Sequence, residues 1–222
     1  KADYGRGMAS FEHTITEAAH LRNHYRDPSQ LVQNKSTDHL DVGCREFIGR
    51  STFVLIGTSS AAGDEDVSPK GGHPGFVKVL DDQRLVIPDL NGNNRLDSLQ
   101  NIVENGRVGL LFLVPGLGEM LRVNGSACVT VDPEILDSFT AEYRRPTSAI
   151  GVTVNEAYIH CAKAIRRGVL WNPDEWPTEA SRPQVGEILI EHAGIGGHIT
   201  ADEMSAGLEE SYRNDLDADR PT

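Results

Sequence analysis

Two stretches of the chain are continuously apolar and β-branched. Thr52–Thr58 and Val108–Val114 therefore read as buried strands. Met120–Val131 has a different texture. There Leu121, Val123, Ala127, Val129 and Val131 alternate with Arg122, Asn124, Ser126, Cys128 and Thr130. A period of two marks a half-buried antiparallel strand. Gly75–Leu80 and Arg84–Ile87 flank Asp81-Asp82-Gln83, which predicts a hairpin. Gly151–Cys161, with Val152, Val154, Ala157, Tyr158 and Ile159, predicts a further strand.

Helical spacing appears between and around these strands. Leu96, Leu99, Ile102 and Val103 predict a helix over Arg95–Glu104, stopped by Asn105-Gly106. Thr14–Tyr25 has a weak apolar face and ends at Asp27-Pro28-Ser29. A short helix after Thr37-Asp38 carries Leu40, Cys44, Phe47 and Ile48, and another begins at Asp132-Pro133 and runs to about Glu142. Pro173, Pro177 and Pro183 make the start of the tail irregular, and Gln184–His192 and Ala201–Tyr212 follow as short helices.

These elements predict a mainly β protein of six or seven strands, mostly joined by hairpins, with one inserted helix and helices at both ends. Regular βαβ alternation is missing, which argues against a doubly wound parallel sheet. A closed antiparallel barrel would hide the sheet edges. Residues 38–172 form the predicted barrel and 173–222 an irregular, helical tail. Residues 1–37 form a helical arm, and Lys1–Gly7, ahead of Met8, reads as a tag remnant.

Charge and composition narrow the function. A formal net charge of -12 disfavours nucleic acid or an anionic membrane as partner, since both need a basic face. Three widely spaced cysteines, Cys44, Cys128 and Cys161, make neither a disulfide framework nor a zinc site. His20 and His24 stand one helical turn apart but have no third ligand nearby, so no metal is expected. No apolar run spans a membrane and no signal-peptide pattern is seen, so the expected location is the cytoplasm.

Three polar phrases interrupt the strands in order: Ser68-Pro69-Lys70-Gly71-Gly72, then Ile87-Pro88-Asp89 leading to Asn93-Asn94-Arg95-Leu96-Asp97, then Leu121-Arg122-Val123-Asn124-Gly125. Lys70 offers a point charge, and Gly71 and Gly72 allow close backbone approach, although an ordinary glycine turn would look the same. Asn94 is a suitable N-cap with Asp97 near capping-box spacing, so the second phrase either starts a helix or holds a phosphate with Arg95. Arg122, on the polar face of its strand, is an interface or ligand residue if that face meets a second subunit, and otherwise is exposed. Asp89 and Asp97 compete with any anion here.

The order of these phrases resembles that of pyridoxamine 5'-phosphate oxidase-like proteins, and more narrowly of pyridoxamine phosphate oxidase-related FMN-binding proteins. His160-Cys161-Ala162-Lys163-Ala164 and Leu170-Trp171 extend the resemblance, which covers about Phe47 to Trp176. It implies a six-stranded antiparallel split β-barrel and a homodimer with FMN at the interface. It places Val67, Ser68, Lys70, Ile87, Pro88, Met120, Arg122 and Trp171 around the flavin, and Asn94 and Arg95 at its phosphate. Tyr143–Gly151 is similar to the oxidases' substrate-phosphate segment, which makes Arg145 and Ser148 candidate substrate contacts. Met120 or Glu119 replaces a Gln that usually faces the flavin, and the oxidases' Arg-Leu-His tail is missing. The expected function is an FMN-dependent oxidoreductase acting on a small molecule other than pyridoxamine phosphate. Its alternatives are a flavin carrier, or a split barrel using deazaflavin or haem.

Overall fold

A computed structural model describes residues 11–221; the tag remnant read over Lys1–Gly7 lies outside them. Seven strands make one antiparallel sheet: β1 (Phe53–Ser59), β2 (Glu65–Gly71), β3 (Lys78–Val79), β4 (Arg84–Pro88), β5 (Arg107–Leu113), β6 (Met120–Thr130) and β7 (Ala149–His160). They run in the order β2-β1-β5-β6-β7-β4-β3. The strand beyond the six read from the sequence is β2, and the strand expected over Gly75–Leu80 shrinks to β3, which pairs for two residues with β4 as Lys78↔Val86 and Val79↔Leu85. Among the described residues no ladder joins β2 to β3, the two ends of the sheet.

β6 and β7 form the longest ladder, from Met120↔His160 to Thr130↔Ala149, broken by a bulge at Asn124/Gly125. The bulge needs glycine, because a Cβ on Gly125 would lie 2.2 Å from the carbonyl oxygen of Thr153. One sheet face is sealed by Val54, Ile56, Leu110, Phe112, Leu121 and Val123, which pack with Leu85, Ile87, Ile150 and Val152 in the main core.

Helix α1 (Gln30–Asn34) is short. Asp41 caps α2 (Val42–Arg50) by accepting from the Cys44 N–H at 2.7 Å, and Cys44 and Ile48 turn inward. α3 (Asp97–Asn105) crosses between β4 and β5 and ends at Gly106, left-handed at φ 67°. α4 (Pro133–Asp137) and α5 (Lys163–Arg167) are single turns, and α6 (Val185–Ala193) and α7 (Ala201–Ala218) pair as a hairpin. Thr200 and Glu203 close a capping box at the start of α7.

Several expectations change. The helix expected over Thr14–Tyr25 shrinks to a 3-10 segment at Ala18–Asn23 with no buried residue, since its weak apolar face has nothing to pack on. Ser68–Gly71 lies within β2 rather than in a turn, because β2 is an edge strand, where Pro69 breaks no ladder on its open side. Asn94 does not cap α3. The N-cap is Leu96, itself left-handed, with no side chain bonded to the first turn. The helix begun at Asp132-Pro133 ends at Asp137 rather than near Glu142.

Burial, followed by the hydrogen bond with Asp41, pushes the Cys44 thiol up to about 11. At pH 8 the thiolate is the reactive form, so Cys44 of the folded protein is expected to be alkylated at least about a hundredfold more slowly than an ordinary thiol. Mass mapping after iodoacetamide labelling checks this against the exposed Cys128 and Cys161. Gly125→Ala forces the bulge open and is expected to destabilise the fold by about 1–3 kcal/mol, the range for overpacking. A lowered urea midpoint at unchanged slope would show it.

Candidate functional site

A cavity of about 930 Å³ lies against the outer edge of the sheet. β2 forms one wall through Val67, Ser68 and Lys70, and the connection from β4 into α3 forms another through Pro88, Asn94 and Arg95. The tip of α7 completes the rim with Leu216, Asp219 and Arg220. Residues remote in sequence meet here because α3, reached from β4, packs against β1 and β2 and so carries the β4–α3 connection to the β2 edge.

Local backbone shapes the α3 side. Asn94 and Leu96 both adopt left-handed conformations, with φ 56° and 63°. Such conformations are strained for non-glycine residues and concentrate at ligand sites. They bring the start of α3 to the cavity, where Asp97, Ser98 and Leu99 line it. The first-turn amides of a helix lack intrahelical acceptors, and here no side chain caps them. On the β2 side Gly72 sits where nothing larger fits, since a Cβ would come within 2.6 Å of Phe76 and of the Tyr143 hydroxyl. That hydroxyl accepts from the His73 N–H at 2.7 Å, and the two rings stack 5.8 Å apart.

The charges in the cavity are largely matched. Lys70 Nζ lies 2.9 Å from Asp89 Oδ1 with both side chains mostly buried, and Arg95 Nε lies 2.7 Å from Asp97 Oδ2 at the exposed rim. Asp97 raises the Arg95 guanidinium further above its usual range. Asp66 accepts from Ser98 Oγ at 2.6 Å. Asp219 ties the tail to loops beside the sheet: its carboxylate accepts from Asn91 N–H at 3.0 Å and its carbonyl from Arg144 N–H at 2.7 Å. Burial raises the Asp219 carboxyl above the usual carboxylate range.

The remaining candidates lie elsewhere. Ile87 is fully buried in the core, one residue from Pro88. Met120 packs with Leu113 and Ile165 in a separate cluster flanked by Trp171, whose Nε1 donates to the Leu117 carbonyl at 2.8 Å. Arg122 Nη1 donates to the Tyr158 hydroxyl at 2.8 Å. Arg145 is engaged by Asp137 at 2.5 Å, and buried Ser148 accepts the Asp89 N–H through its carbonyl at 3.0 Å. None of these six lines the cavity of this single chain. Cys161 is exposed just past the end of β7. Sequence reading overlooked His73, Leu216 and Asp219. Only the glycines beside His73 gave a signal, because the tail contact is set by tertiary packing. Among the described residues no group of three His, Cys, Asp or Glu side chains is placed to hold a metal.

No curated protein matches the chain. Solved structures of similar form include a variant of HupZ from Group A Streptococcus, 14% identical with a TM-score of 0.46 over 55% of this chain and 99% of that one. A candidate pyridoxamine 5'-phosphate oxidase from Lactobacillus delbrueckii is 22% identical, with a TM-score of 0.43 over 56% and 98% of the two chains. An FMN-binding protein from Syntrophomonas wolfei is 11% identical, with a TM-score of 0.40 over 52% and 82%. The family model for pyridoxamine 5'-phosphate oxidase matches residues 40–161, more than half of the 222 residues and all of the sheet from β1 to β7. On that match, the chain belongs to the pyridoxamine 5'-phosphate oxidase family.

Proposed function

We propose that this chain is an FMN-dependent oxidoreductase acting on a small molecule, with the flavin held between two copies in a split barrel. The observation that carries the reading is the cavity itself. Inside the family-matched stretch, β2 and the start of α3 converge on a space within the range of small-molecule pockets.

The residues present fit a flavin nucleotide. Val67, Ser68 and Pro88 offer strand-end backbone and apolar surface for a ring system. Arg95 and the uncapped first turn of α3 suit a phosphate, by charge-assisted contacts and the helix dipole together. A phosphate arriving there competes with Asp97 for Arg95, while Lys70 is held by Asp89. The flavin supplies the electron-transfer chemistry when bound, so the protein's part is binding, orientation and electrostatics.

A second copy supplies what one chain leaves apart. Phe53 and Val67, 38% and 68% exposed, share the outer sheet face with Leu55 and Leu111, an apolar surface suited to association. Met120, Arg122 and Trp171 lie at or beside that face and would reach the partner's flavin across it. The namesake reaction is not included. The α7 tip brings Leu216, Asp219 and Arg220 to the rim, and Arg145, the candidate substrate-phosphate contact, is engaged by Asp137 outside the cavity. The proposed place of action is the cytoplasm; no helix among the described residues is long and apolar enough to cross a membrane.

FMN titration followed by fluorescence tests the reading. The protein should bind FMN, and Arg95→Ala should weaken binding by about 1–3 kcal/mol, the scale of a contact to a charged group. Reduction by NADH or NADPH followed by turnover with an acceptor supports the enzyme. Tight FMN binding without turnover would leave a carrier, and a protein indifferent to FMN would end both readings.

A further inference from the structure

The outer face of β6 and β7 gathers three basic side chains around one aromatic ring. Lys35 Nζ sits 4.7 Å from the centroid of the Tyr158 ring, and the Arg122 guanidinium carbon sits 5.9 Å from it. The His160 ring stacks on Tyr158 at 6.1 Å. Three separate elements build this arrangement. The arm bearing Lys35 is pinned to β7 by the bridge Thr37↔Ala157, and Lys35 Nζ also donates to the Ile159 carbonyl at 2.8 Å. Arg122 lies directly across the ladder from Tyr158 and donates to its hydroxyl, while His160 lies across from Met120.

Among the described residues neither Lys35 nor Arg122 has a carboxylate within ion-pair distance, and His160 has no hydrogen-bond partner. Glu156, which shares this face, accepts from Asn124 Nδ2 at 2.9 Å. The cavity cations Lys70 and Arg95, by contrast, each sit against a carboxylate. Three basic groups crowded without one repel each other. The repulsion registers at His160, whose imidazole is held below its usual range by burial first, then by the charges of Arg122 and Lys35. An oxyanion relieves it: Arg122 presents a planar fork held in place by Tyr158, Lys35 retains donors beyond the one given to Ile159, and His160 lends a ring nitrogen.

We propose that Lys35, Arg122 and His160, arranged on Tyr158, form an oxyanion-binding site for the phosphate or carboxylate of a small molecule. Lys35 precedes the family-matched stretch, so the family pattern does not supply this site. The proposal shares Arg122 with the proposed flavin contact across the interface, but its phosphate readout does not require flavin to bind.

The test is NMR titration of the histidine imidazoles with inorganic phosphate, against sodium chloride at equal ionic strength. Phosphate is expected to shift the His160 resonances saturably and to raise the pH at which this ring titrates. Arg122→Gln and, separately, Lys35→Gln should each weaken binding about tenfold, the factor for one charge-assisted contact. Lys35 is on the surface arm, so its variant remains informative if Arg122→Gln misfolds. A His160 response no larger than that to chloride, or unchanged affinity in a folded Arg122→Gln or Lys35→Gln variant, overturns the site. Preloading with FMN or riboflavin then identifies the source of the oxyanion. Loss of phosphate binding with FMN alone assigns it to the nucleotide phosphate, and retention with both assigns it to a separate ligand. Either result requires the site.

Discussion

The β6–β7 ladder organises everything else in this chain. Eleven Cα pairs, bent by one bulge, set the register on which both halves of the sheet hang. β5, β1 and β2 extend from β6, while β4 and β3 extend from β7. The cavity draws its walls from both sides, so its shape depends on a ladder that contributes none of its lining. The same ladder brings Arg122 against Tyr158 and places His160 beside Met120. Gly125 makes this geometry possible, because any side chain there meets the backbone of Thr153.

Charge is distributed unequally on this scaffold. Lys70 within the cavity and Arg95 at its exposed rim each have a carboxylate next to them. Those pairs also make any anionic ligand compete for its partners, which favours a dianion over a monoanion. On the sheet face the pattern reverses, and Lys35 and Arg122 stand together with no carboxylate paired to either. A ring system in the cavity and an oxyanion on the face are therefore the chemistries that these two regions suit.

Much of this was legible from local patterning. The period-two alternation of Met120–Val131 and the apolar runs at Thr52–Thr58 and Val108–Val114 are stamped by burial, and each strand appears within two residues of its expected bounds. Gly106 ended α3 where a left-handed stop was expected. What escaped depends on distant partners. β2 is polar and carries a proline, so only its pairing with β1 shows it to be a strand. Leu96 as a left-handed N-cap runs against local preference, since a leucine rarely takes a φ of 63°. Asp219 reaches the cavity rim through tertiary hydrogen bonds to Asn91 and Arg144, which no spacing in the chain announces. Phrases one and two share the cavity, while the third faces away from it on this single chain, a division that order along the sequence does not reveal.

That division makes the shared site the central claim, and sedimentation of the protein with FMN, followed at the flavin's visible absorbance, tests it most directly. The account predicts that flavin absorbance sediments with a dimer of the 24.2 kDa chain, one FMN per chain. Flavin bound tightly to a monomer would contradict it.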